Sequence, residues 1–111
     1  METEFCKITA IIRPDCLENV EVALRALAVP GVNVAKVKGY GEYSDFYKPD
    51  WMCAHVRIEI FIGQHRADAV ATATMDAAHT GMTGDGIVAV LPMQSVYHMR
   101  NKEKCRHDVC H

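Results

Sequence analysis

Thr80-Gly81-Met82-Thr83-Gly84-Asp85-Gly86 gathers three glycines, two hydroxyls and a carboxylate into seven consecutive residues. A residue without Cβ lets backbone N–H groups approach a ligand closely and admits positive φ, so several amides can converge on one anion. The segment lies between a helix-like run and the apolar run that opens at Ile87, and it is therefore a candidate phosphate cradle. The plainer alternative is a loop that needs sharp backbone geometry and nothing more. A second chemical feature is the tail Cys105-Arg106-His107-Asp108-Val109-Cys110-His111. Its two cysteines can meet at disulfide distance if the backbone turns between them, which would make a labile redox pair in a reducing compartment. Alternatively, Cys105, His107, Cys110 and His111 offer the soft donors that zinc, copper or nickel would take, although the C-x4-C spacing is looser than usual zinc patterns. The tail can equally be a terminus without function.

These residues are carried by a legible alternation of elements. Phe5–Ile12 reads as a strand with Cys6, Ile8, Ala10 and Ile12 on one face. Asp15 is placed to cap a helix from Cys16 to about Ala28, striped by Leu17, Val20, Leu24 and Leu27 and ended by Pro30-Gly31. Val32–Gly39 alternates again, and Val56, Ile58, Ile60 and Ile62 alternate with His55, Arg57, Glu59 and Phe61. A second helix is expected from about His65 to Ala78, with Ala67, Val70, Ala71, Thr74, Met75 and Ala78 inward, followed by a strand from Ile87 to Leu91. Cys6 and Cys16 read as small core residues, and Met75, Met82, Met93 and Met99 as core or near-core fillers. The order strand-helix-strand-strand-helix-strand predicts an α+β, ferredoxin-like βαββαβ sandwich whose helices cover one sheet face. The other face still carries Val, Ile and Phe, so self-association is expected.

Between the second and third strands, Glu42–Ala54 is too long for a hairpin turn and holds Tyr43, Phe46, Tyr47 and Trp51. Such a loop is a recognition element, or one folded back on its own core. The 111 residues are expected to form one domain, 1–111, with 50% apolar residues. A net charge of -2 and scattered Lys and Arg give no basic stripe for a nucleic acid. No apolar run suits direct membrane insertion, and Met1-Glu2-Thr3-Glu4 lacks the features of a secretory signal, so a cytoplasmic protein is expected. His79 beside Thr80, or His98 near Arg100, offers acid-base chemistry, yet no nucleophile-base-orienter set accompanies either, so an enzyme is not expected.

Three segments in order resemble the PII signal-transduction proteins over nearly the whole chain. They are Ile11-Ile12-Arg13-Pro14 before a helix, Val37-Lys38-Gly39-Tyr40-Gly41 before the long loop, and Ala77-Ala78-His79-Thr80-Gly81-Met82-Thr83-Gly84-Asp85-Gly86 running into Val90-Leu91-Pro92. The resemblance implies a homotrimer with an adenine nucleotide in each cleft between subunits. It makes residues 42–54 the T-loop, 80–86 the B-loop and the segment from His98 the C-loop. It assigns Asn33, Gly39, Gly41, Glu59, Thr80, Gly84, Asp85, Gly86, Ile87, His98 and Arg100 to the nucleotide site. Ile87 stands where typical members carry a phosphate-binding lysine, and His98 replaces the first of two C-loop arginines, while Arg100 keeps the second. Those losses imply AMP or ADP in preference to ATP. Tyr43 stands where a glutamine usually helps bind 2-oxoglutarate, and the T-loop is shorter than normal. The chain is thus nearest in character to PII-like proteins of bicarbonate uptake and the carboxysome, some of which carry a cysteine pair like Cys105 and Cys110. Bicarbonate would lie near Gly39, Tyr40, Gly41, His55 and Arg57, and the T-loop would bind a protein partner such as a bicarbonate transporter. A metal-responsive regulator of heavy-metal efflux and a nitrogen-regulatory PII protein are the alternative roles.

Overall fold

The structure, a computed structural model, describes residues 4–39 and 53–105. Four strands form an antiparallel sheet: β1 (Phe5–Ile12), β2 (Asn33–Gly39), β3 (Cys53–Gly63) and β4 (Gly86–Met93), in spatial order β2-β3-β1-β4. Helices α1 (Leu17–Ala26) and α2 (Ala67–Ala78) pack on each other over one sheet face. A separate hairpin pairs β5 (Tyr97–His98) with β6 (Glu103–Lys104). The expected ferredoxin-like order is present, with this hairpin added after it.

Two-residue periodicity sorts the sheet. Cys6, Ile8, Ala10 and Ile12 of β1 face the helices beside Val56, Ile58, Ile60 and Ile62 of β3, and all are buried. Val20 and Leu24 of α1 and Ala67, Val70, Thr74 and Ala78 of α2 close that core. The Thr74 hydroxyl donates to the Val70 carbonyl at 2.8 Å, so the one hydroxyl in this stripe is satisfied within its own helix. Burial raises the thiol pKa of both Cys6 and Cys16, as suits core residues.

Several boundaries differ from expectation, each for a local reason. Pro14–Cys16 forms a 3-10 turn, so Asp15 lies inside that turn and makes no capping hydrogen bond, and α1 starts at Leu17. Gln64–Arg66 does the same before α2. β4 runs through Pro92 to Met93; it is an edge strand, and proline lacks only a donor that an open edge can spare. Met75, Met82 and Met99 are not core fillers, being 51%, 69% and 93% exposed. Met75 is on the side of α2 next to the sheet edge, and the other two lie in connections outside the core.

α1 ends before Pro30-Gly31. The Val29 amide donates to the Leu24 carbonyl at 3.1 Å and the Ala28 amide to the Arg25 carbonyl at 3.0 Å, the pair of bonds of a Schellman cap. That cap needs a left-handed residue, and Ala28 supplies it at φ 57. Alanine there carries a steric cost that glycine escapes. Ala28→Gly is therefore expected to stabilise the chain by about 1 kcal/mol, seen as a higher urea midpoint; a lower midpoint would contradict the cap assignment.

Candidate functional site

The site is built where β1 ends and β4 begins. Their antiparallel register pairs Ile12 with Gly86, so Arg13 emerges beside the glycine-rich turn that links α2 to β4. His79 caps α2 in an extended conformation, and the chain then makes its turn through Gly81 (φ 83), Gly84 (φ 97) and Gly86 (φ 106). At Gly86 the requirement for glycine is absolute. A Cβ built there would lie 1.7 Å from the Ile11 carbonyl oxygen and 2.8 Å from its carbon.

Asp85 organises the turn from inside. Its Oδ2 accepts the amides of Thr80 at 2.8 Å and Gly81 at 2.9 Å. Its Oδ1 accepts Arg13 Nε at 3.1 Å and, in a short contact, the Thr80 hydroxyl. Thr80 Oγ1 accepts the Met82 amide in turn, at 3.2 Å. Burial raises the carboxyl pKa, but the Thr80 hydroxyl, the Thr80 and Gly81 amides and Arg13 outweigh it and hold Asp85 well below the usual carboxylate range. His79 Nδ1 is 3.9 Å from Oδ2 and its side chain is 74% exposed, so it contributes little.

Two further side chains grip the turn by its carbonyls. The Arg13 guanidinium donates through Nη2 to the Thr83 carbonyl. His55, only 4% exposed, has Nε2 3.0 Å from the Gly84 carbonyl; a carbonyl only accepts, so that nitrogen carries a proton. Among the described residues, the Thr83 and Gly84 amides make no hydrogen bond. The turn thus spends its first amides on its own aspartate and keeps later ones unspent. Against it, a cavity of about 370 Å3 opens between the end of α2 and the start of β4, lined by Ile12, Met75, Ala78, His79, Asp85, Gly86, Ile87 and Val88.

The remaining candidates fall into separate groups. Thr80, Gly84, Asp85, Gly86 and Ile87 are contiguous. Asn33 and Glu59 are cross-strand partners on the sheet face away from the helices, where Glu59 pairs with Lys7 at 3.3 Å. Arg57, exposed, shares the next row of that face with Ile11 and Ile87. Gly39 ends β2 at the opposite sheet edge from β4, three strand spacings or about 14 Å away across the sheet. His98 and Arg100 belong to the β5–β6 hairpin, and no hydrogen bond or ion pair among the described residues ties them to the turn. The His98 Nδ1 is buried with no partner among the described residues. Cys105 is 4% exposed and disulfide-bonded, and its amide donates to the Val96 carbonyl at 2.7 Å.

Tyr40, Gly41, Trp51 and most of the expected T-loop lie outside the described residues, as do His107, Cys110 and His111. The two described residues at the end of that loop, Cys53 and Ala54, belong to β3. Among the described residues no group of three or more His, Cys, Asp or Glu side chains is placed to hold a metal. Arg13 is the residue that side-chain chemistry alone did not single out. The signal lay in the register: a strand ending in Arg-Pro must come beside the start of the strand it pairs with.

The family described as "Nitrogen regulatory protein P-II" matches residues 5–103. The chain is 33% identical to "Nitrogen regulatory protein P-II" of Azospirillum brasilense, over 88% of this chain and 94% of that one. It is 30% identical to "Nitrogen regulatory protein P-II homolog" of Arabidopsis thaliana, over 93% of this chain and 57% of that one. It thus spans little more than half of the plant relative. Among solved structures, Arabidopsis thaliana PII bound to citrate superposes with a TM-score of 0.81 at 33% identity, over 94% of this chain and 91% of that one.

Two outcomes are expected from the turn. Gly86→Ala should destabilise the chain by about 3 kcal/mol or more, measured as a fall in unfolding midpoint, because both φ and the Ile11 contact oppose it. For Asp85 the folded pKa lies below the unfolded one, so the unfolded chain binds protons first as pH falls. The stabilisation is complete above the ordinary Asp value of 3.8 and is lost as pH drops below it toward the folded value. Urea unfolding across that range should show a steeper acid loss in the wild type than in Asp85→Asn; parallel profiles would refute the assignment.

Proposed function

This chain belongs to the P-II nitrogen regulatory protein family, and we propose that it is a cytoplasmic, trimeric regulator that binds AMP or ADP in preference to ATP. The nucleotide would lie in clefts between subunits, and the segment joining β2 to β3 would carry the signal to a protein partner. The regulated process in this reading is inorganic-carbon uptake, with bicarbonate as second effector and a bicarbonate transporter as the partner. The observation that carries it is the braced glycine turn followed at once by Ile87, whose side chain is 46% exposed.

The braced turn offers a phosphate main-chain donors in a fixed arrangement, which costs little reorganisation on binding. Charge is another matter. Arg13 is spent on Asp85 and Thr83, and Ile87 supplies no cation. The terminal phosphate of ATP would therefore lack the charge-assisted contacts, roughly 1.5–3 kcal/mol each, that a lysine would give it. Topology supports the trimer. Gly39 and the turn lie at opposite edges of one sheet, so a second copy must bring its β2 edge beside β4 for both to touch one ligand. The lone buried Nδ1 of His98 points the same way, since an unpaired buried nitrogen is costly and a ligand or neighbouring subunit would supply its partner. Phe61, Ile87 and Leu91 leave the uncovered sheet face with the exposed apolar side chains that association would bury.

A nitrogen-regulatory role is the second reading, favoured by the names of the relatives themselves. Calorimetry separates the two. ADP should bind tighter than ATP, and bicarbonate should change ADP affinity; a response to 2-oxoglutarate in place of bicarbonate would transfer the assignment to nitrogen. Ile87→Lys should raise ATP affinity about tenfold or more, the equivalent of one charge-assisted contact. Wild-type protein that favours ATP would overturn the nucleotide preference.

A further inference from the structure

We propose that Arg13 and His55 are positioning residues that aim the amides of the glycine turn at a bound phosphate by holding the preceding carbonyls in place. The inference rests on the nucleotide reading above and deepens it, since neither residue needs to touch the ligand.

No cis peptide occurs among the described residues, and in a trans peptide the C=O and the following N–H point in opposite directions. Arg13 holds the Thr83 carbonyl, so the Gly84 N–H points away from the guanidinium. His55 holds the Gly84 carbonyl, so the Asp85 N–H points away from the imidazole. With Gly84 at φ 97, a value glycine alone takes freely, consecutive amides can converge as an anion-binding nest. Both grips come from outside the turn: Arg13 follows the end of β1, and His55 is near the start of β3. The arginine is needed for its fork. Nε reaches Asp85 while Nη2 reaches Thr83, a span that the single ammonium of lysine does not cover. The imidazole is held beyond solvent reach at 4% exposure, where its Nε2 acts as a donor to the turn. A bicarbonate contact from Nε2 of His55, a residue that the resemblance places near bicarbonate, would have to displace the Gly84 carbonyl.

The test compares ligands that differ only in phosphate. Adenosine, AMP and ADP are titrated into wild-type, Arg13→Met, Arg13→Lys, His55→Leu and His55→Gln proteins, with trimer content and unfolding midpoint measured on each. Arg13→Met and His55→Leu should lose about tenfold or more in AMP and ADP affinity while adenosine affinity stays within about twofold. Arg13→Lys should remain impaired, whereas His55→Gln, whose side-chain amide can still donate to Gly84, should recover most of the loss. Equal losses for adenosine and ADP would mean a general structural role and would overturn the proposal. So would ADP binding that none of the variants alters. A wild-type protein that binds no adenylate would instead bring down the nucleotide reading itself, and this inference with it.

Discussion

The approach of β4 to β1 at Gly86 is the constraint on which the rest of the site depends. Only a residue without Cβ lets the β4 backbone pass the Ile11 carbonyl. That passage starts the Ile12–Gly86 register, and the register then delivers Arg13 to the turn. Everything upstream of Gly86 must fit between the end of α2 and this fixed entry point, which is why further positive-φ glycines occur at 81 and 84. The sheet core is what holds the entry point still. Ile8, Ile12, Ile58 and Ile60, all essentially buried, lock β1 against β3 with no room to slip by one residue.

Within the turn the electrostatics are largely settled before any ligand arrives. Asp85 is an internal anion that captures the Thr80 and Gly81 amides and half of the Arg13 fork. This fixes the loop's shape, because each donor it binds would otherwise seek water in another conformation. It also leaves the loop close to neutral. A ligand phosphate would meet dipoles rather than a free cation, and binding by dipoles alone favours ligands with fewer charges to desolvate. The preference proposed for AMP and ADP thus follows from how the turn is built as well as from the isoleucine at 87.

Much of this was legible in the residues themselves. Period-two alternation located β1 and β3 because each buries one face against helices, and the apolar stripe located α1 through Val20 and Leu24. What failed were features that depend on backbone hydrogen bonds rather than on side-chain pattern. Asp15 has the chemistry of a cap, yet Pro14 leads a 3-10 turn that moves the helix start past it. Ala28 takes the left-handed position although glycine follows only at 31. Methionine at helical spacing reads as core, yet Met75 is half exposed and lines the open cavity between α2 and β4. The composition of the turn was readable as an anion cradle, but the identity of the anion that fills its first amides was not. Asp85 has the type of a ligand-facing residue and the place of a brace.

The two grips on the turn also explain why this site would report occupancy to the rest of the molecule. His55 lies two residues beyond Cys53, where β3 emerges from the long connection to β2. A ligand that draws the Asp85 amide toward itself must rotate the 84–85 peptide, and the carbonyl of that peptide is bonded to His55. Because the ring is buried, it has little freedom to follow without moving its own backbone. The displacement would then reach the first residues of β3. Arg13 makes no such link, since it leads into the 3-10 turn and α1, which are anchored by Val20 and Leu24 in the core. One grip therefore ties the turn to the end of β1 and the other ties it to the start of β3, and a phosphate bound as proposed would act between them.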